Sequence, residues 1–170
     1  MTLIADVASE GVRVPLSGER VAAIARSVLK AEGVRNALLS ITFLDARAMA
    51  RLNERHLSHR GPTDVISFGF DRAARSAVVG DVYICPDVAR QNAAAAGVGV
   101  REEIARLVVH GTLHVLGYDH PDGDERMRSP MWRRQERLLA VTARRALVSR
   151  GASSRAQVSA GRARRAAASS

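Results

Sequence analysis

Three histidines near the middle of the chain have the spacing of a metal site. His110, His114 and His120 fall within one short stretch and are three of the five histidines in the sequence. Residues four apart in a helix lie on the same face, so His110 and His114 are expected to point at one place. Gly117 tolerates the left-handed backbone angle that ends many helices, and the chain can then turn back to bring His120 to the same place.

Three neutral imidazoles without a thiolate are typical of a catalytic zinc site, which keeps one coordination position open for water. Cys85 is the only cysteine, so a four-thiolate structural site and an intramolecular disulfide are both excluded. A plainer interpretation makes His110 and His114 packed helix residues and His120 a loop residue. The third imidazole favours the metal, and we predict one Zn²⁺ per chain with these three histidines as its ligands.

The same histidine spacing occurs in metzincin proteases, in which a glutamate follows the first histidine and acts as the general base. Here Gly111 occupies that position. Glycine cannot accept a proton from water, so peptide hydrolysis by the usual zinc route lacks its base. A zinc hydrolase of another substrate, such as a metallopeptidase, stays open as an alternative.

One long helix must position the first two histidines. Apolar residues recur at helical spacing from about Val100 to Leu116, which predicts a helix with one face buried. Glu102 and Glu103 fall in its first turn, where negative side chains suit the helix dipole. Gly117 then ends it.

The other predicted elements are strands and helices in mixed order. They are strands at Leu3–Val7 and Val12–Val14, a helix from the Ser17 cap to Gly33, a strand at Asn36–Leu44, a helix after the Asp45 cap, a strand after Pro62, a strand at Val78–Cys85, a helix at Asp87–Ala96, and a last helix from the Ser129 cap to about Val148. This order predicts an α+β domain with a small sheet against which the histidine helix packs.

The stretch from His110 to His120, His-Gly-Thr-Leu-His-Val-Leu-Gly-Tyr-Asp-His, resembles the signature of the YbeY family of bacterial metal-dependent endoribonucleases. Leu52-Asn53 with the run from Pro62 to Phe68, and the strand around Gly80-Asp81, resemble two further family segments. The resemblance extends roughly from Ala46 to Leu139. It implies a mixed four-stranded sheet packed with about five helices, with the metal site on a central helix.

For function, the resemblance implies a single-strand-specific endoribonuclease in the maturation of ribosomal RNA, including 3′-end processing of 16S RNA, and in ribosome quality control. The family usually has an RNA-holding arginine where this chain has Leu57, and Arg55 and Arg60 are the candidates to replace it. The alternative for both arginines is a solvated loop. Asp64 and Asp119 are candidates for a supporting or general-base role. A phosphate oxygen is another candidate base, and the RNA 2′-hydroxyl is a candidate nucleophile.

Four other residues could belong to a functional site, but we interpret them as structural or solvated residues. His56 and His59 precede the strand that follows Pro62, and loop histidines are mostly solvated, so both stay outside the predicted metal site. Met131 and Trp132 resemble a downstream family segment, and we interpret them as core residues.

Length and composition predict one domain with a basic tail. The chain has 170 residues, 46% of them hydrophobic, and a net charge of +9. Residues 1–148 form the predicted metallohydrolase domain, and residues 149–170, rich in Ala, Ser and Arg, a disordered tail. Removing the four tail arginines from +9 leaves +5 for the rest. Lys30 is the only lysine, so the excess also reflects a general use of arginine.

These observations predict a cytoplasmic protein, since no secretory signal or membrane-spanning segment is evident. The predicted partners are single-stranded or ribosomal RNA and the ribosome or its small subunit, with neither a membrane nor DNA. An alternative function of a different class is a metal-stabilised ribosome assembly or binding protein with little catalysis. Leu57, in place of the family arginine, favours this alternative.

Overall fold

The computed structural model describes residues 1–70 and 77–148, with side chains up to residue 142. The predicted disordered tail, residues 149–170, lies outside the described residues. Within them the elements are β1 (Thr2–Ser9), α1 (Gly18–Ala31), β2 (Asn36–Phe43), α2 (Ala46–Leu57), β3 (Val65–Phe70), β4 (Val78–Ile84), α3 (Pro86–Ala96), α4 (Val100–Val115), a short 3₁₀ helix (Gly123–Arg128) and α5 (Pro130–Val148).

The four strands form one mixed sheet in the order β1-β2-β4-β3. The pairs β1·β2 and β2·β4 are parallel, whereas β3 runs antiparallel to β4. This arrangement confirms the predicted α+β class and its mixed four-stranded sheet.

Helix α4 is the central element of the fold. It contacts β3 and β4 on one side and α1, α3 and α5 on the others. Most of its residues after the first turn are buried, because an element surrounded in this way has little surface left for solvent. The core formed around it also includes Ile24 and Leu29 of α1 and Leu39 and Ile41 of β2, each no more than 1% exposed.

The predicted helix caps are confirmed at three positions. Ser17 accepts a hydrogen bond from the backbone N–H of Arg20, and Asp45 accepts one from Ala48 at 2.7 Å. The Ser129 hydroxyl accepts one from Trp132 at 3.1 Å. Each cap lies directly before the helix that it begins.

The prediction of a strand at Val12–Val14 is wrong. The segment is irregular, and both valines pack partly buried against the core. A strand needs a ladder partner, but the two neighbours of β2 in the sheet are β1 and β4, and Val12–Val14 pairs with neither edge. None of the described helices combines the length and apolar character needed to cross a membrane.

Candidate metal centre and adjoining cavities

The end of α4 brings the three histidines together. His110 and His114 lie one turn apart on α4. Gly117 follows with φ +96°, its N–H donates to the His114 carbonyl, and the Tyr118 N–H donates to the Leu113 carbonyl. These bonds form a Schellman motif, in which a left-handed glycine reverses the chain after a helix. His120 is thereby returned towards the last turn of α4, as predicted.

The nitrogen atoms available as ligands from His110, His114 and His120 all lie within 4.8 Å of one another. The ring centroids are 4.6 to 5.2 Å apart. His110 is 4% exposed, and the other two are half-buried. The site is therefore enclosed on the α4 side and open on the side of His120.

A hydrogen-bond chain fixes the proton of His110. Gln135 on α5 donates from Nε2 to a Glu136 carboxylate oxygen at 3.1 Å, so its Oε1 faces the imidazole. That Oε1 lies 2.6 Å from His110 Nδ1 and can only accept, which places the His110 proton on Nδ1. The lone pair on Nε2 is then free to bind a metal. Arg106 holds Glu136 in turn through a 3.0 Å ion pair.

His120 carries its proton on the same ring nitrogen as His110. Its Nδ1 lies 3.0 Å from the Pro121 carbonyl, an acceptor, so this nitrogen carries the proton. Its Nε2 lies 3.2 Å from Nε2 of His114. Two zinc–nitrogen bonds of about 2.0–2.1 Å at a tetrahedral angle separate the nitrogens by about 3.4 Å. The nitrogen donors and their spacing therefore fit a metal ion held by His110, His114 and His120.

Burial keeps the imidazoles of His110 and His114 neutral, which is the form that binds metals. It lowers the pKa of His110 from 6.5 to about 3, against a smaller opposing effect of the Gln135 hydrogen bond. Burial also lowers the pKa of His114, and a charge on His120 lowers it further. Protons therefore compete weakly for the ligand nitrogens of His110 and His114 near neutral pH.

A cavity of about 460 Å³ opens beside the imidazoles, and Asp64 and Asp119 both line it. Asp119 is exposed, and its Oδ1 accepts a hydrogen bond from the His120 N–H at 2.8 Å. Asp64 is half-buried and accepts from the Val65 N–H and from the Asn92 amide. Neither carboxylate has a described hydrogen bond to an imidazole, so both flank the histidines without orienting them.

The structure does not bring Arg55 or Arg60 to this cavity. Both side chains are exposed, and neither is among the residues that line it. Leu57 does line it and is 45% exposed. The prediction that one of the two arginines contacts RNA stays a prediction.

Sequence reasoning missed Arg126, which belongs to the 3₁₀ helix and lines the histidine cavity. Its positive charge contributes to the lowered pKa of His110 and of His114. The stretch around it has no apolar periodicity that would place it. The sequence indicates only weakly that Gln135 faces inward. It lies four residues after the buried Met131 and thus on the same face of α5.

A second cavity of about 420 Å³ adjoins the first. Asp64, His110 and Arg126 line both. Trp132 forms part of its wall and is half-buried, whereas Met131 is 1% exposed in the core. The core interpretation therefore holds for Met131 and is wrong for Trp132, which lies one position further round the helix.

Gly111 lies where α4 packs tightly on the sheet. A Cβ atom at this position would lie 2.5 Å from Val82 Cγ1 and 3.0 Å from the Ser67 hydroxyl. A glutamate here would therefore collide with the sheet, and the glutamate-dependent peptidase route has no place for its base.

Comparison with protein families gives one match that covers most of the chain. A sequence model of the family described as "Endoribonuclease YbeY" matches residues 7–143. A protein described as endoribonuclease YbeY from Thermobifida fusca is 42% identical over 144 residues, which cover 79% of this chain and 91% of that protein. Another from Frankia casuarinae is 41% identical over 146 residues, covering 79% of this chain and 72% of that protein.

Among solved structures, the solution structure of TM1509 from Thermotoga maritima is similar in fold. It superposes with a TM-score of 0.57 at 20% sequence identity, covering 82% of this chain and 89% of that one. At this identity the likeness concerns the fold alone.

Proposed function

Since the chain belongs to the YbeY family of endoribonucleases, we propose that it is a metal-dependent endoribonuclease that cleaves single-stranded RNA during the maturation of ribosomal RNA. The observation that carries the proposal is the convergence of His110, His114 and His120, with their ligand atoms within 4.8 Å, at the edge of an open cavity. Three imidazoles and an open side are the arrangement of a catalytic metal site.

The proposed metal is one Zn²⁺ per chain, with the three histidines as ligands. Three nitrogen donors without a thiolate suit zinc at a catalytic site, and the fixed Nδ1 protons of His110 and His120 leave Nε2 free on each ring. When bound, the ion would supply Lewis-acid polarisation of the phosphate and a lower pKa for a water molecule.

The two carboxylates receive different proposed roles. Asp119 is exposed in the cavity next to His120, where it can accept a proton from the attacking group, whether that is water or the RNA 2′-hydroxyl. Asp64 already accepts hydrogen bonds on both oxygens, from Val65 and from Asn92. It is better suited to fix the start of β3 against α3.

The proposed setting is the cytoplasm, with ribosomal RNA and the small ribosomal subunit as partners. The net charge of +9 favours association with polyanions. Cys85, fully buried and without a second cysteine to pair with, is compatible with a reducing compartment.

A second candidate is an RNA-binding assembly factor with little catalysis. Leu57 favours it, because an apolar side chain at 45% exposure lines the cavity at a place where a cation would help to hold phosphate.

The test combines elemental analysis with cleavage of a single-stranded RNA. We expect one zinc per native chain and RNA cleavage, and we expect both to be lost in His114→Ala. His59→Ala, which removes an exposed histidine outside the metal group, is the matched control and should keep both. Zinc without cleavage above the His114→Ala background would favour the assembly factor, and native protein free of metal would overturn the metal site.

A further inference from the structure

We propose that the second cavity, next to the histidines, binds one unstacked base of the RNA, and that Arg126 holds the phosphate attached to that base. This inference rests on the proposed endoribonuclease function and assigns the substrate subsite that adjoins the metal centre. Its occupant is a single nucleotide unit, with the base in the cavity and the phosphate at its mouth.

The size and lining of the cavity suit a flat apolar ring. Its volume of about 420 Å³ lies within the range of small-molecule sites, about 300–1,000 Å³. Apolar wall comes from Ala96, Val98, Leu107, Met127 and Trp132. An indole offers a face on which any base can stack, and such stacking is the common means of holding single-stranded RNA.

Polar groups lie beside this apolar wall. Asn92 places a carboxamide in the lining, and its side-chain oxygen, which takes no part in the hydrogen bond to Asp64, can accept from the edge of a base. Gln135 also lines the cavity, but its carboxamide is bonded to His110 and Glu136. Glu103 also lines the cavity, but its carboxylate is paired with Arg106 at 2.8 Å. The formal charges of the four charged lining residues, Asp64, Glu103, Arg106 and Arg126, sum to zero.

Arg126 is placed to hold an anion. It lines both cavities, so its side chain lies between the imidazoles and the apolar wall. Its Nε is buried, and no described group accepts a hydrogen bond from it. A buried donor without an acceptor is costly, and an accepting phosphate oxygen would remove that cost.

The two arginines of the second cavity are used differently. Arg106 pairs with Glu102, Glu103 and Glu136, so its donors are committed to the protein. No ion pair with a carboxylate is found for Arg126 among the described residues. Its Cζ lies over the Trp132 ring, 6.0 Å from the ring centroid, a cation–π distance that keeps its charge close to the residue on which the base is proposed to stack.

This geometry favours single-stranded RNA over a duplex as the substrate. A base inside a duplex is stacked and paired, and it would have to leave the helix to reach Trp132 while its phosphate stays at Arg126. An unpaired base reaches the cavity without that cost.

Trp132 allows a direct test because it is the only tryptophan of the chain. The full-length native protein, with its metal, is titrated with adenosine 5′-monophosphate while tryptophan fluorescence is recorded. This probe has one base and one phosphate and contains no phosphodiester bond for a nuclease to cleave. We expect saturable quenching by the nucleotide and none by ribose 5-phosphate, which lacks the base.

Four variants separate the contributions. Arg126→Ala should weaken nucleotide binding about tenfold, and Arg126→Lys should restore part of it. Arg133→Ala removes the same charge from an exposed site that lines neither cavity, and its affinity should stay native. Ala96→Phe fills the cavity from an exposed position and should abolish quenching while the fold is kept.

The outcomes distinguish this inference from the proposed function. Quenching with no RNA cleavage would support the base site and overturn the endoribonuclease. Cleavage without quenching by the nucleotide, or equal weakening in Arg126→Ala and Arg133→Ala, would overturn the base site alone. If the base site and the endoribonuclease function are both correct, Arg126→Ala should raise KM for a short RNA more than it lowers kcat.

Discussion

Gln135 determines which nitrogen of His110 is free to bind a metal, although it lies 25 residues away in the sequence. Hydrogen-bond partners of this kind typically change metal affinity by about 10–100-fold when they are removed. We expect Gln135→Leu, which keeps the size but removes the acceptor, to lower zinc affinity within that range. Competition with a chelator measures the affinity, and Gln91→Leu at an exposed site of α3 is the control.

The neutral state of His110 gives the metal-free protein a pH-dependent stability. The pKa of this imidazole is 6.5 in an unfolded chain and about 3 in the folded one. Between these values the unfolded chain binds a proton that the folded chain does not, so the free energy of unfolding falls as the pH is lowered from 6.5 towards 3. At pH 5 the loss from His110 is about 2 kcal/mol.

Denaturant unfolding in the presence of a chelator, at pH 7.5 and at pH 5, measures this effect. His110→Gln should lose less stability than the native chain over the same interval. An equal loss in both proteins would show that other groups cause the pH dependence.

At the residue scale the sequence predicted the convergence of the three histidines but not their surroundings. Helical spacing and Gly117 were enough for His110, His114 and His120, because both signals are local. Gln135 and Arg126 reach the site through the packing of α5 and the 3₁₀ helix, which no local pattern encodes.

At the scale of elements, the contact between α4 and the sheet depends on Gly111. Overpacking a close contact of this kind costs about 1–3 kcal/mol, so Gly111→Ala should lower the free energy of unfolding by that amount. The added methyl would be 2.5 Å from Val82, and Val82→Ala in the same chain should recover part of the loss. Gly18→Ala, whose Cβ meets Val7 at an ordinary 3.6 Å, is the control and should not destabilise.

The turn after α4 couples a backbone conformation to the metal site. Gly117→Ala forces a side chain into φ +96°, which should cost about 1 kcal/mol and displace His120. The Gly33 turn after α1 has φ +72° and the same pair of hydrogen bonds. Gly33→Ala should therefore lose similar stability but keep native zinc affinity, measured by chelator competition.

Element types and caps could be read from periodicity, since helices and strands are set largely by nearby residues. The position of β4 between β2 and β3 could not be, because strand order depends on contacts between distant segments. Val12–Val14 shows the same limit, since an apolar, β-branched segment becomes a strand only where a partner edge is available.

At the scale of the molecule, we expect the core to fold without the metal. The buried cluster runs through α1, α4, α5 and the sheet, whereas His114 and His120 are half-buried at its margin. We expect removal of the metal to leave a folded chain with a lower thermal midpoint, recorded by circular dichroism with and without chelator. Loss of all helical signal on chelation would instead support a metal-stabilised scaffold.

The chain of contacts from Arg106 through Glu136 and Gln135 to His110 also determines when the metal site is completed during synthesis. A nascent chain that has been made as far as His120 contains all three imidazoles but not the acceptor that orients His110. That acceptor arrives with α5, the last described element. The site is therefore completed only when the domain is almost fully made, so a nuclease that is still attached to the ribosome cannot act before its own fold is nearly finished.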